Sequence, residues 1–197
     1  GYLSHAASLT AFGNTVPTSF LRLVPHQEAP TSICWGDRNR SVLVRVPLGW
    51  QNIDDSMFRD ANPGEAPITD LPNDSQTVEL RSPDGSAAIH LLLAGIAVAA
   101  RIGLTEPGMA DYARERKVDG EASQTPGLDQ LPDSCFEAAG RLLAQREDYE
   151  ALGVFPAGLI DSWASHLMEL GDMHLRDDLA DSKVSVEELV TRYFHVG

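Results

Sequence analysis

The spacing of apolar and polar residues divides the chain into a strand-bearing first part and a helical second part. "SVLVRVP", Ser41 to Pro47, alternates: Val42, Val44 and Val46 fall on one face, Leu43 and Arg45 on the other. "TVELRSP" repeats the two-residue period, with Thr77, Glu79 and Arg81 on one face and Val78 and Leu80 on the other. The opening "GYLSHAASLTAF" has helical spacing to about Phe12, and Asn14 to Pro17 breaks it. The stretch "TSFLRLVPHQEAP" that follows reads as a loop carrying Arg22 and Glu28. Residues 48–75 are rich in Asp, Asn, Pro and Gly and predict a long irregular excursion. Beyond them, Gly85 to about Ile102 predicts an apolar helix, and Pro107 to Lys117 a shorter polar one. "VDGEASQTPGLDQLP" is a linker with turn chemistry. Asp133 or Ser134 caps the next helix, with Glu137 three residues after Ser134, and that helix ends near Arg146. Two more helices are predicted, about Gly158 to Arg176 and Val184 to His195. Short strands followed by helices predict an α+β fold.

At 197 residues and 43% hydrophobic residues, the chain fits one globular domain. Its net charge of -14 argues against a nucleic-acid or anionic-membrane surface, without excluding a local basic site. The longest apolar run, Ile89 to Ala100, is too short to span a bilayer. Cys34 and Cys135 lie far apart and form neither a disulfide framework nor a zinc pattern, so they predict structural thiols in a reducing, cytoplasmic setting. Because the chain opens already in a helical pattern, it is expected to be a piece of a longer protein.

Charge distribution changes the picture. The chain has only 15 basic residues, yet Arg22, Arg38, Arg40, Arg45 and Arg81 fall in its first 81 positions, interleaved with Glu28 and Glu79. Arginine suits bidentate capture of carboxylates and phosphates, and several in one cleft can offset the charge of a phosphoryl group in transfer. Glu79 is a hard oxygen ligand of the kind magnesium or manganese prefers. On composition and spacing alone a plainer reading is favoured: strand arginines face water, and an Arg with a Glu two residues away makes a cross-strand ion pair.

The order of the motifs is specific. "PTSFLRLVPHQEAP", then "RNRSVLVRVP", then "VELRSPD" followed by "HLLLAGIAVAA", resembles the later part of a glutamine synthetase catalytic domain. "GYLSHAASLTAF" resembles the helix before this block, and "LGVFPAGLIDSWASHLMEL" the family's helical C-terminal segment. The resemblance implies a partial catalytic domain over 1–197, with strands, flap and apolar helix in 1–104 and the helical segment in 105–197. It implies ATP-dependent joining of ammonia to glutamate through a γ-glutamyl phosphate, with magnesium or manganese as cofactor. Residue by residue, Arg22 and Arg81 match arginines that bind the substrate glutamate, and Glu28 matches the flap glutamate that helps take a proton from ammonium. Arg40 matches the arginine on the transferring phosphoryl group, Arg45 one on the nucleotide phosphates, and Glu79 a metal ligand. The partners implied are glutamate, ammonia, ATP and further copies of the protein in a ring; no nucleic acid and no membrane are expected.

The sequence also departs from the family pattern. Thr77 stands where an arginine near the ATP phosphates is usual, Phe20 and Leu21 replace Tyr-Lys, and His26 replaces a lid glycine. In "GLDQLP", Asp129 occupies the position of a tyrosine that some bacterial relatives adenylylate. His166 and His174, eight apart on one predicted helix, read as surface or packing residues. The family's remaining metal-binding glutamates and ATP-binding histidines lie in segments that precede this region, so the chain is expected to be inactive alone. Two other readings stay open on sequence: a γ-glutamyl-amide ligase that uses an organic amine, and a non-catalytic structural relative.

Overall fold

The computed structural model describes residues 1–24, 29–47, 60–65 and 77–196. In chain order its elements are helices α1 (Ala6–Gly13) and α2 (Pro17–Arg22), strands β1 (Trp35–Asp37), β2 (Val44–Val46) and β3 (Glu79–Leu80), then helices α3 (Ile89–Thr105), α4 (Met109–Glu115), α5 (Cys135–Ala144), α6 (Arg146–Glu150), α7 (Leu159–Met168), α8 (Leu175–Ala180) and α9 (Val186–Tyr193). Short strands precede a helical half, the α+β arrangement that the sequence predicts. Among the described residues no single helix is long and apolar enough to cross a membrane.

The sheet runs β1-β2-β3. β1 lies parallel to β2 with Gly36 opposite Arg45, and β2 lies antiparallel to β3 with Arg45 opposite Glu79. Val44 and Val46 are buried on one face while Arg45 is half-buried on the other, as their alternation requires. The predicted packing of Val78 does not hold: it is exposed, because β3 begins after it and pairs only through Glu79 and Leu80.

α1 is apolar nearly all round and therefore central, lying against both α3 and α5. Gly95 allows the approach of α3, since a Cβ there would come within 2.9 Å of Leu9 Cδ2 and 3.2 Å of Phe12 Cδ2. The core closes around Phe12, Tyr149 and Phe155, whose ring centroids lie 5.4 to 5.6 Å apart. Buried Tyr149 places its hydroxyl 2.6 Å from Ser8 Oγ, so no polar atom is stranded there.

Two predicted boundaries are corrected. The stretch after Asn14 is not all loop: Pro17 occupies the first turn of α2, where its missing N–H costs nothing and its fixed φ favours the helix. The helix predicted over 158–176 is broken between Met168 and Leu175, where Gly171 takes a left-handed φ of 66°. The break turns Asp172 back onto the start of α5. Its buried carboxylate accepts from Cys135 N at 2.7 Å and Phe136 N at 3.1 Å, while the predicted cap, Ser134 Oγ, accepts from Glu137 N at 3.2 Å. Three of the otherwise unpartnered donors of that helix end are thereby satisfied. Asp172→Ala leaves two of them orphaned in a buried position and is expected to lower stability by about 2 kcal/mol. Urea unfolding of the variant beside the parent chain checks this, with a lower midpoint and an unchanged slope expected.

Candidate active site

Of the predicted site residues, Arg22, Arg40, Arg45, Glu79 and Arg81 lie on one wall formed by the end of α2, the turn before β2, β2 itself, and β3 with the residues that follow it. Arg22, the last residue of α2, donates through Nη2 to Ser82 O at 2.5 Å and Pro83 O at 3.5 Å. α2 is itself fastened from the far end of the chain. Arg176 of α8 donates to Phe20 O at 2.8 Å and Leu23 O at 3.1 Å, the carbonyl-rich end of the helix where a cation is favoured. The helical C-terminal segment thus helps to set where Arg22 stands.

Glu79 holds the centre of the wall. Its carboxylate pairs with Arg45 Nη2 across the strands at 2.7 Å and with Arg81 Nε at 3.4 Å. Arg81 Nη1 also donates to the carbonyls of Arg40 and, at 3.2 Å, Val42, tying the segment after β3 to the turn that carries Arg40. The side chain of Arg40 is exposed, as is Thr77 ahead of β3. The cross-strand ion pair and the arginine cluster are therefore both present, and they are the same contacts. The Nε atoms of Arg22 and Arg45 are buried with no hydrogen-bond partner among the described residues. Glu28 and His26 lie outside the described residues, as does most of the 48–75 excursion.

As a cation site the wall is partial. Among the described residues no group of three or more His, Cys, Asp or Glu side chains is placed to hold a metal ion. Glu79 offers one hard carboxylate, which fits magnesium or manganese only as one ligand among several.

One residue that the sequence reading left without a role is well built into this wall. Asn39, immediately before Arg40, hydrogen-bonds with four groups of the chain. The signal for it was local: Asn followed two residues later by Ser is a pattern in which the side chain bonds nearby backbone.

The sequence pattern of the family described as "Glutamine synthetase, catalytic domain" matches residues 1–169. The chain is 32% identical over 203 residues to the glutamine synthetase of Thermococcus kodakarensis, a match covering 100% of this chain and 40% of that protein. It is 31% identical over 194 residues to the glutamine synthetase of Halobacterium salinarum, covering 97% and 36%. Among solved structures it resembles one described as "GmaS/ADP complex-Conformation 1", with a TM-score of 0.57 at 25% identity, over 97% of this chain and 37% of that one. It also shares the fold of a Plasmodium falciparum glutamine synthetase solved by cryoEM, with a TM-score of 0.61 at 16% identity, over 95% and 39%. The α+β arrangement is that of part of a ligase-family catalytic domain. The chain belongs to the glutamine synthetase family, and it spans about 40% of the length of the first of these relatives.

Of the other reactive side chains noted in the sequence, Asp129 pairs with Arg116, which is not among the arginines of the wall. His166 and His174 are exposed and separated by the break at Gly171, so they do not share the single helix predicted for them. Asp129 is exposed, its carboxylate 3.4 Å from Arg116 and its carbonyl accepting from Ile33 N at 2.8 Å. Cys34 and Cys135 are buried free thiols. Burial raises the pKa of each, and beside Cys135 the Asp172 carboxylate raises it further. A raised thiol pKa leaves less of the reactive thiolate at any pH below it. Both cysteines should therefore resist a thiol-labelling reagent at about pH 8 in the native chain and react in urea. Mass spectrometry of the labelled protein reads this directly; rapid native labelling of either would contradict it.

Proposed function

We propose that the protein carrying this chain joins ammonia to glutamate with ATP, through a γ-glutamyl phosphate. The observation that supports this reading is the pairing of Arg45 and Arg81 with the Glu79 carboxylate, beside Arg22 bonded to the Ser82 carbonyl and the Arg40 carbonyl bonded by Arg81. Packing has no need of so many guanidinium groups at one place, whereas a glutamate carboxylate and a row of phosphates do. Arg22 and Arg81 bind the substrate glutamate, Arg45 the nucleotide phosphates, and Arg40 the phosphoryl group in transfer. Glu28, which matches the family's flap glutamate, takes the proton that ammonium must lose. A solved relative described as an ADP complex supports a nucleotide on this fold.

Glu79 holds magnesium or manganese together with ligands from outside this chain, and the metal, when bound, neutralises phosphate charge. Before then, Arg45 and Arg81 compensate the same carboxylate. Alone, the chain supplies one wall of the site and does not form glutamine. The whole protein works in the cytoplasm as a ring of identical subunits.

The test is Arg40→Lys in the full-length protein. Lysine keeps the charge but not the planar fork, so glutamine formation at saturating ATP should fall by on the order of 100-fold, about 3 kcal/mol of transition-state stabilisation. Turnover near that of the parent would remove Arg40 from the chemistry.

A further inference from the structure

Building on the reading of Arg40 above, we propose that Asn39 is a positioning residue that aims Arg40 at the transferring phosphoryl group. Its carboxamide uses its full hydrogen-bonding capacity. Oδ1 accepts from Ser41 N at 2.9 Å and Ser41 Oγ at 2.8 Å, and Nδ2 donates to Val118 O at 3.2 Å and Gly120 O at 2.7 Å. The opposite orientation of the amide would set its NH2 against the Ser41 N–H and its oxygen against two carbonyls, so the network fixes which way it points. Ser41 Oγ in turn accepts from Ala122 N at 2.9 Å. Asn39 and Ser41 together pin the turn to the segment 118–122.

That segment is itself held rigidly. Val118 N donates to Trp35 O at 2.8 Å and Trp35 N to Arg116 O at 3.0 Å, so it runs beside β1. Gly36 is required for the approach, because a Cβ there would stand 2.5 Å from Val118 O. The turn is gripped at two further points and holds one strained residue. Arg38 N donates to Val46 O at 2.8 Å, Arg38 is held at a left-handed φ of 51°, and the Arg40 carbonyl takes a bond from Arg81. A non-glycine residue in that region is strained and persists only where its surroundings enforce it. Arg40 has a long, exposed side chain, and the direction of its Cα–Cβ bond bounds the volume its guanidinium can reach. Fixing the residues on either side fixes that direction, and small misplacements of a catalytic group cost rate steeply.

The experiment is a mutant cycle in the full-length protein, with ATP, glutamate and ammonia as substrates. Asn39→Ala should lower kcat by about 10-fold to 100-fold and change the KM for glutamate by less than about 3-fold. The double variant Asn39→Ala with Arg40→Ala should be no slower than Arg40→Ala alone, because Asn39 acts through Arg40. Ser41→Ala removes only the relaying hydroxyl. It should lower kcat by about 3-fold to 10-fold with the same dependence on Arg40, and it carries the test if Asn39→Ala does not fold. The inference is overturned if Arg40→Ala is impaired while Asn39→Ala, or Ser41→Ala in its place, keeps parental kcat. It is also overturned if the losses multiply in the double variant. Parental kcat in Arg40→Ala would instead overturn the reading of Arg40 itself, and the inference with it.

Discussion

One carboxylate keeps two arginines side by side: Glu79, reaching Arg45 across the strands and Arg81 along the chain. Without it, two guanidinium groups on a small sheet would lose the negative charge that both contact. The antiparallel register makes this possible by setting Arg45 opposite Glu79. A slip of one residue would turn Glu79 and Arg81 together to the other face and part them from Arg45. The pair adds little to stability, about 1 kcal/mol or less, since the Glu79 side chain is 39% exposed and solvent screens it. Its consequence is placement. Arg81, held by Glu79, reaches the Arg40 carbonyl, and Ser82 next to it receives Arg22.

The helical part of the chain sustains that placement from a distance. α1 and α3 meet closely at Gly95, and α1 continues through Asn14, whose Nδ2 donates to Ser82 O at 2.8 Å, the same carbonyl that Arg22 holds. Arg176 grips the end of α2, and Trp163 Nε1 donates to Ala11 O at 2.8 Å. The C-terminal helices, which bear none of the matched site residues, thus fix the elements that do.

What could be read from the sequence was local. The alternation of Val44, Arg45 and Val46 is apparent in seven residues, and the Ser134 cap announces itself by the glutamate three positions on. The arginines carried family meaning because their motifs occur in order. Long-range partners were hidden. No period or propensity tells that Asp172 caps α5, that Arg176 holds α2, or that Asn39 bonds across to Gly120, because each joins segments far apart in the chain. β1 was missed because "WGD" is too short to alternate and owes its form to neighbours on both sides. The reading of α2 as loop went wrong through weighing Pro17 as a breaker when it stood at a helix start.

On the function proposed above, Glu79 has two partners in turn, the arginines in this chain and a divalent metal in the whole site. Glu79→Gln keeps the shape and hydrogen-bonding ability of the side chain and removes its charge. The decisive measurement is the manganese concentration giving half-maximal glutamine formation by the full-length protein. It should rise by about 10-fold or more in the variant, the usual scale for disturbing a metal site. An unchanged manganese dependence would show that Glu79 is only the counter-charge of Arg45 and Arg81.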